Sequence, residues 1–169
     1  MNTLEKQNEL HVVLGTGPVG LTLTDVLLAQ GKQVRVVSRS GKATVPVGVT
    51  LVAADITDSD AAKEACRGAA VVYNCLGVPY AEQVAVVPRQ QDGILAGAAS
   101  AGAKLIVTAD LYVYGETHGQ PITEDTPHAA ATRKGRMRVE VARKYLQAHQ
   151  AAQSKSRWGG RRTSTGRVS

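Results

Sequence analysis

The chain of 169 residues has no phenylalanine, few aromatic side chains and only two cysteines. Its core must therefore be built from Val, Leu, Ile and Ala, as is typical of buried parallel strands and their covering helices. Cys66 and Cys75 cannot form a disulfide framework and lack metal-ligand spacing, which favours a reducing compartment. No apolar run approaches the ~18 residues of a membrane helix, and the first residues lack a signal-peptide pattern. We therefore expect a cytoplasmic protein without membrane contact.

Charge is distributed unevenly along the chain. The formal net charge is +6, and the last 15 residues contain five basic side chains and no acidic one. The excess of positive charge therefore lies in a tail, and the remainder of the chain is close to neutral. A basic face that binds nucleic acid is not indicated for the domain itself. Loose contact of the tail with nucleic acid stays as a low-ranked alternative.

Strand-like and helix-like segments alternate through the first 150 residues. Each strand-like segment is a short apolar run, and glycine follows three of the intervening helical segments. This order predicts an α/β protein with a doubly wound parallel sheet, the Rossmann fold, in strand order 3-2-1-4-5. The predicted strands are Leu10–Leu14, Gln33–Ser38, Val49–Ala53, Ala70–Asn74 and Lys104–Thr108. The predicted helices are Pro18 to Gln30, Asp60–Cys66 capped by Ser59, Gln83 to Ala101, and Thr132 to about Gln150.

A glycine-rich turn joins the first predicted strand to the first helix. The segment reads Gly15-Thr16-Gly17-Pro18-Val19-Gly20, which is the G-x-G-x-x-G spacing in its required context. The first glycine permits a tight turn, the second lets the backbone approach a pyrophosphate, and the third lets the helix pack closely on the strand. The helix N-terminus then presents free N–H groups to the anion. The turn therefore predicts a bound dinucleotide.

The end of the second strand indicates which dinucleotide is preferred. An acidic residue there usually binds the ribose hydroxyls of NAD, whereas an arginine accommodates the 2′-phosphate of NADP. Here the segment from Ser38 to Lys42 reads S-R-S-G-K, with two cations and no carboxylate. We therefore expect Ser38, Arg39 and Lys42 to favour NADP(H) over NAD(H). The alternative is that Arg39 and Lys42 are only solvated loop charges.

With its later motifs included, the chain resembles the extended and atypical short-chain dehydrogenases, the NAD(P)-dependent epimerase/dehydratase superfamily. Asp55-Ile56 is similar to the Asp and its neighbour that contact adenine in that family. Asn74-Cys75-Leu76-Gly77 resembles the loop beneath the nicotinamide ribose. Thr108–Gly115 (TADLYVYG) and residues 123–127 (TEDTP) occupy the places of the S-S-x-x-V-Y-G and E-D-x-P motifs. The phosphate loop is one residue shorter than the extended pattern, which points to an atypical branch.

The chain departs from the family at the catalytic residues. The family uses a Tyr-x-x-x-Lys pair, and no tyrosine here has lysine four residues later. Alignment puts Thr132 at the tyrosine, Arg136 at the lysine and Asp110 at the serine. Threonine cannot replace a phenol in acid–base chemistry near neutrality. Substitute catalytic residues are therefore expected at the carboxyl end of strand five, with Asp110 as base and Tyr112 or Tyr114 as acid. Lys134 or Arg136 would lie nearby. The alternatives are a packing role for Tyr114 and a turn-capping role for Asp110.

The end of the chain is unusual for this resemblance. We expect residues 1–9 to be an extension, 10–150 to be the NAD(P)-binding domain, and 151–169 to be a disordered basic tail. The family continues with a sixth strand and a substrate domain. Written in GC-rich codons and read from the third base, Lys155 to Val168 gives VALGRTSDFYGPGV, which resembles that sixth strand and its Y-G-P-G loop. The tail is therefore interpreted as a frameshift product that truncates the protein, leaving strand five as an uncovered edge open to self-association. The alternative is a native basic tail.

Two functions follow from these observations. The first is an NADP(H)-binding, short-chain-dehydrogenase-like enzyme, which the resemblance implies is an epimerase, dehydratase or reductase. Its substrate would be a sugar nucleotide or a small carbonyl compound. The second is a non-catalytic dinucleotide-binding regulator or sensor, or an inactive truncated epimerase, which the missing Tyr/Lys pair favours. No metal site is expected, because the four histidines lack ligand spacing.

Overall fold

The structure, a computed structural model, describes residues 9–159, with side chains up to residue 152. The chain divides into two compact units, the first ending at Leu111 and the second beginning at Tyr112. The first unit contains the sheet and three helices, and the second contains a long loop and the last helix. Apart from Glu9, the predicted N-terminal extension lies outside the described residues. So does the end of the predicted tail, residues 160–169.

Five parallel strands form one sheet in the order β3-β2-β1-β4-β5, which confirms the predicted topology. Two short 3-10 helices, Tyr80–Glu82 and Leu111–Val113, interrupt the loops. The strands are β1 Leu10–Leu14, β2 Gln33–Ser38, β3 Thr50–Ala53, β4 Ala69–Asn74 and β5 Lys104–Val107. The helices are α1 Pro18–Ala29, α2 Ser59–Cys66, α3 Gln83–Ala101 and α4 Arg133–Gly159.

Helix α1 ends and helix α4 begins within one residue of the predicted positions, whereas the N-cap of α2 and the end of α4 differ from the prediction in instructive ways. The N-cap of α2 is Asp58 rather than Ser59, because the Asp58 carboxylate accepts the backbone N–H groups of Asp60 and Ala61, both at 2.9 Å. Serine and aspartate are both strong N-caps, so the choice between neighbours depends on local geometry. Helix α4 continues nine residues past Gln150, through the first half of the segment predicted to be disordered. Its Ala, Gln, Lys and Arg content favours this extension.

Helices cover both faces of the sheet. On one face, Val13, Val34 and Val36 form a buried cluster with Leu27 of α1. Arg35 alternates with Val34 and Val36 and therefore points to the other face. There its guanidinium donates to the carbonyl oxygens of residues 65 and 67 at the end of α2, at 3.0 and 2.9 Å. Helices α1 and α2 thus lie on opposite faces, as a doubly wound sheet requires.

Helices α2 and α3 approach each other closely because α3 carries two glycines four residues apart. A Cβ built on Gly93 would lie 1.8 Å from the carbonyl oxygen of Ile56, and one on Gly97 would lie 2.8 Å from that of Ala62. No side chain fits at either position unless the backbone moves. Ile56 itself is only 2% exposed and lies three residues after the end of β3. The close contact therefore fixes α3 against the loop after β3.

A buried histidine makes the stability of the first unit depend on pH. His11 is 6% exposed, and its Nδ1 lies 3.0 Å from the hydroxyl oxygen of Tyr73. Burial lowers the pKa of His11 below its ordinary value of 6.5, and the nearby Lys32 lowers it further, whereas Glu9 opposes the shift. The folded protein therefore resists protonation at a pH where the unfolded chain binds the proton.

We expect the free energy of unfolding to fall as pH drops below about 6.5 towards the lowered pKa of His11. The unfolded chain binds one more proton than the folded chain in this window. Urea unfolding at pH 7.5 and 5.5 measures the loss, which should be smaller in His11→Gln. His149→Gln, at an exposed position on α4, is measured under the same conditions for comparison. Equal pH dependence in the two variants would contradict the role of His11.

Candidate functional site

The carboxyl ends of four neighbouring strands surround one cleft. Its volume is about 220 Å³, and every residue that lines it belongs to the first unit. Open α/β sheets bind ligands at this edge, outside the ends of the strands. The lining residues come from the end of β2, from the loops after β1, β2, β3 and β4, and from α3: Gly15, Thr16, Gly17, Val37, Ser38, Arg39, Ala54, Asp55, Ile56, Leu76, Gly77 and Gln90.

The turn after β1 is held closely by its neighbours. Gly15 has a φ of +114°, and its N–H donates to the carbonyl oxygen of Val37 at 2.8 Å. A Cβ on Gly15 would lie 2.6 Å from the carbonyl oxygen of Cys75. A Cβ on Gly20 would lie 2.3 Å from the carbonyl oxygen of Gly15. Both glycines are therefore required by packing within the protein, which is the role expected of the first and third glycines of the motif.

The middle glycine of the motif, Gly17, differs from the other two because an added side chain there would contact no protein atom. Gly17 is the N-cap of α1, is exposed, and a Cβ there would have no atom within 4 Å. Pro18 follows at the first helical position, where its missing N–H removes no helical hydrogen bond. The open backbone at Gly17 fits a pyrophosphate, which could approach the first turn of α1 and accept its N–H groups.

The loop after β2 places a cation at the cleft. Ser38 is buried, and its hydroxyl oxygen accepts the N–H of Gly41 at 3.1 Å, which folds the chain back after the strand. Arg39 is exposed and lines the cleft. Lys42 is exposed as well but does not line it. Of the two predicted cations, the structure therefore brings only Arg39 to the cleft.

The loop after β3 places a carboxylate, that of Asp55, at the same cleft. Asp55 accepts the backbone N–H and the hydroxyl of Thr57 on the same oxygen, Oδ1, at 2.9 and 2.8 Å. These bonds lower the pKa of Asp55, and the positive charges of Arg39 and Arg89 lower it further, although slight burial opposes them. The side chain is therefore ionised at neutral pH. Its charge lies close to that of Arg39 at the same cleft.

The loop after β4 provides the remaining wall. The Oδ1 of Asn74 accepts the N–H of Leu76 at 3.2 Å, which shapes the turn that brings Leu76 and Gly77 to the cleft. Cys75 lies behind it, where its N–H donates to the carbonyl oxygen of Leu14 at 2.9 Å. Burial raises the pKa of the Cys75 thiol, which is therefore protonated at neutral pH. Asn74 and Cys75 act as supports rather than lining residues.

Nine of the fifteen residues predicted to bind the cofactor line the cleft, and six do not. Among the six, Gly20, Asn74 and Cys75 hold the loops behind it. The other three are exposed: Pro18 and Val19 in the first turn of α1, and Lys42 beyond β2. Three lining residues are absent from the prediction: Val37, Ala54 and Gln90. The first two flank predicted residues, so their place could be read from the strand ends, whereas Gln90 has no motif that signals it.

The predicted catalytic residues are divided between the two units. Asp110 is half-buried near the end of the first. In the second, Nζ of Lys134 lies 5.0 Å from the ring centroid of Tyr112, and the rings of Tyr114 and His128 meet edge to face at 5.4 Å. The structure thus gives both tyrosines a packing environment within their own unit.

Two residues aligned with the missing Tyr/Lys pair stabilise the start of α4. The hydroxyl oxygen of Thr132 accepts the N–H of Gly135 at 3.0 Å, as an N-cap does. The guanidinium of Arg136 donates to the carbonyl oxygen of Ala131. Both side chains are therefore engaged by their own helix terminus.

Two further features are absent from the part of the chain that the structure describes. No cluster of three or more His, Cys, Asp or Glu side chains in that part of the chain could hold a metal ion. None of its helices is long and apolar enough to cross a membrane.

The sheet order, the glycine-rich turn and the cleft at the strand ends define a Rossmann-type dinucleotide-binding domain. The model of the NAD(P)H-binding family matches residues 15–158, which is most of the chain. This chain therefore belongs to the NAD(P)H-binding family.

Solved structures share the fold at low sequence identity. A protein assigned as an epimerase from Burkholderia cenocepacia J2315 is 18% identical, with a TM-score of 0.70 over 83% of this chain and 50% of that one. WbmG from Bordetella bronchiseptica, solved with NAD and UDP, is 20% identical, with a TM-score of 0.65 over 78% and 47%. Uronate dehydrogenase from Agrobacterium tumefaciens is 16% identical, with a TM-score of 0.68 over 83% and 57%.

At these identities the similarity establishes the fold alone, which the resemblance to epimerase/dehydratase-type enzymes had predicted. The chain spans about half the length of these structures. A search of curated proteins found no significant match.

Proposed function

We propose that this chain is the NADP(H)-binding part of a short-chain-dehydrogenase-like enzyme. The observation that carries the proposal is the position of Arg39, which lines the cleft directly after β2. In Rossmann domains the adenosine ribose lies at the end of this strand. Here that strand end contributes Ser38 and a guanidinium to the cleft and no carboxylate.

A 2′-phosphate suits this environment. Its charge would interact with Arg39, and guanidinium–phosphate pairs form bidentate hydrogen bonds. The one carboxylate among the residues that line the cleft, Asp55, follows β3 and is already engaged by Thr57. A ribose with a free 2′-hydroxyl would gain less from Arg39, because a neutral acceptor forms a weaker bond than a charged one.

We expect Arg39→Ala to remove the preference for NADP(H). Loss of one charge-assisted contact should weaken NADPH binding by about tenfold and leave NADH binding nearly unchanged. Isothermal titration with both dinucleotides measures this ratio. Arg143→Ala is the control, because that exposed arginine lies on α4 and pairs with Glu140. An unchanged ratio in Arg39→Ala would refute the assignment.

For the chemistry, we propose that Asp110 acts as the base and Tyr112 or Tyr114 as the acid in place of Tyr-x-x-x-Lys, with Arg136 contributing positive charge and no proton transfer. The class of reaction is hydride transfer to a carbonyl carbon with protonation of its oxygen by these groups, or the reverse, in which the alcohol loses the hydride from its carbon and the proton from its oxygen. A sugar nucleotide or a small carbonyl compound is the proposed substrate. The fold shared with WbmG, solved with UDP, and with uronate dehydrogenase supports this substrate class.

A non-catalytic NADP(H) sensor is the second candidate. The engagement of Thr132 and Arg136 at the start of α4 favours it, because neither side chain is available as a direct replacement for the missing pair. An assay of NADPH oxidation distinguishes the enzyme from the sensor. NADPH oxidation by any member of a panel of carbonyl compounds and UDP-sugars would support the enzyme. Tight NADPH binding with no oxidation across the panel would support the sensor.

A further inference from the structure

Positive charge is concentrated in helix α4 as well as in the last 15 residues. Residues 133–154 contain six basic side chains and one acidic side chain, a net charge of +5, whereas residues 1–132 contain nine basic and thirteen acidic ones, a net charge of −4. The near-neutral sum of the two segments therefore hides a separation of charge along the chain. Because α4 continues to Gly159, Lys155 and Arg157 belong to the same helix.

Four exposed cations of α4 form a basic stripe along one side of the helix. Residues three or four positions apart share a face of a helix, and steps of ten and eleven return to nearly the same face. The basic stripe consists of Arg133, Arg136, Arg143 and Lys144, which span about 16 Å of the helix axis. Its one acidic residue, Glu140, pairs with Arg143, so the stripe has a net charge of +3. Arg136 donates to a neutral carbonyl oxygen and therefore retains its charge.

The basic stripe fits a phosphate polymer better than a lipid bilayer. A helix that lies on a membrane inserts an apolar face into it. On α4 the apolar side chains of Met137, Val141 and Tyr145 are buried or half-buried in the protein and lie on a different face from the stripe. Of the large apolar side chains described on α4, only that of Leu146 is exposed. The stripe therefore offers charge rather than apolar area, which is how proteins bind phosphates without reading a sequence.

Duplex DNA is the phosphate polymer that fits α4 best. Proteins bind single strands largely through exposed aromatic rings, and Tyr145, the one Phe, Tyr or Trp side chain described on α4, is half-buried. The major groove of B-form DNA admits an α-helix, whereas that of A-form RNA is too deep and narrow. We propose that α4 binds duplex DNA without sequence preference, through contact of its basic stripe with the phosphates. This inference does not depend on the proposed NADP(H) function.

The test is a fluorescence anisotropy titration of a labelled DNA duplex of about 20 base pairs, at salt concentrations between about 50 and 200 mM. Each phosphate contact adds about 0.9 to the slope of log Kd against log salt concentration, so wild type should have a slope of about 3 or more. Arg143→Gln/Lys144→Gln should lower the slope by about 1 to 2 and weaken binding at the lowest salt by about fivefold or more. Arg133→Gln, at the other end of the stripe, should lower the slope by about 1, and it keeps the test valid if the double substitution disturbs folding.

Lys63→Gln/Arg67→Gln is the matched control, because it removes two exposed cations of α2 that have acidic partners three residues away. It has the same net charge as the α4 double variant and should retain the wild-type slope. Equal losses in the two double variants would mean that net charge alone binds DNA, and the inference would be overturned. Absence of binding by folded wild type would overturn it as well.

Replacement of the cations that follow α4 separates the helix from the end of the chain. Binding should persist in Arg161→Gln/Arg162→Gln/Arg167→Gln, and adding the α4 double substitution should lower its slope further. Loss of all binding in the triple variant would assign the DNA contact to residues 160–169 and would overturn the role of α4. An RNA duplex of the same length, or vesicles that contain phosphatidylserine, would overturn the choice of ligand if either bound at least as tightly as DNA.

Discussion

Gly17→Ala is expected to abolish most NADP(H) binding while leaving the fold intact. A Cβ at this position meets no protein atom within 4 Å, and its φ of −76° is accessible to alanine. The added methyl group would instead occupy the space in which a pyrophosphate reaches the first N–H groups of α1. Because charge-assisted hydrogen bonds would be lost, affinity should fall by about 100-fold. Titration of NADPH together with urea unfolding measures both quantities.

Gly20→Ala is the matched control for that substitution. Its Cβ would lie 2.3 Å from the carbonyl oxygen of Gly15, so the protein itself has to move. Gly20→Ala should therefore lower the free energy of unfolding by about 1–3 kcal/mol or more. A Gly17 variant that loses stability as much as the Gly20 variant, or that retains wild-type affinity, would contradict the assignment of Gly17 to the ligand.

Gly93→Ala should give the largest loss of stability of any single methyl addition to α3. Its Cβ would lie 1.8 Å from the carbonyl oxygen of Ile56, which is backbone and cannot rotate away. We expect a loss of about 3 kcal/mol or more. Chemical denaturation measures it, and Ser100→Ala, at an exposed position near the end of the same helix, should change stability little. A loss below about 1 kcal/mol would mean that α3 shifts easily from Ile56.

Most of the first unit could be predicted from the sequence because the strand-like segments, the glycine-rich turn and the family motifs all indicate the same fold. Strands β1 and β2 have the predicted bounds, since both are short, valine-rich segments that end at a change of composition. The strand order is that of the Rossmann fold, and it holds although residues 39–49 connect β2 to β3 without a helix. The resemblance to the epimerase/dehydratase superfamily led to the same fold through its motifs.

The candidate site was less accessible to this reasoning. Gly15 and Arg39 were predicted because a local spacing and a strand end mark them. Gln90 lies on a helix, and its place at the cleft depends on the contact between Gly93 and Ile56, which is long-range in sequence and has no local signal. Lys42 is near the right strand end, yet the turn at Gly41 leaves it outside the cleft. The catalytic residues and the preference for NADP(H) stay predictions.

The cleft is built from the ends of separate strands, and the amides of Gly15 and Cys75 link those ends at 2.8 and 2.9 Å. A bound dinucleotide would bridge the same elements and would therefore add to the apparent resistance to denaturation by mass action. At one hundred times its dissociation constant, a ligand contributes about 2.7 kcal/mol. If purified protein retains cofactor, this gain would hide a loss of stability of similar size caused by a glycine substitution. The stabilities of variants can therefore be compared only when each preparation contains the same amount of bound nucleotide.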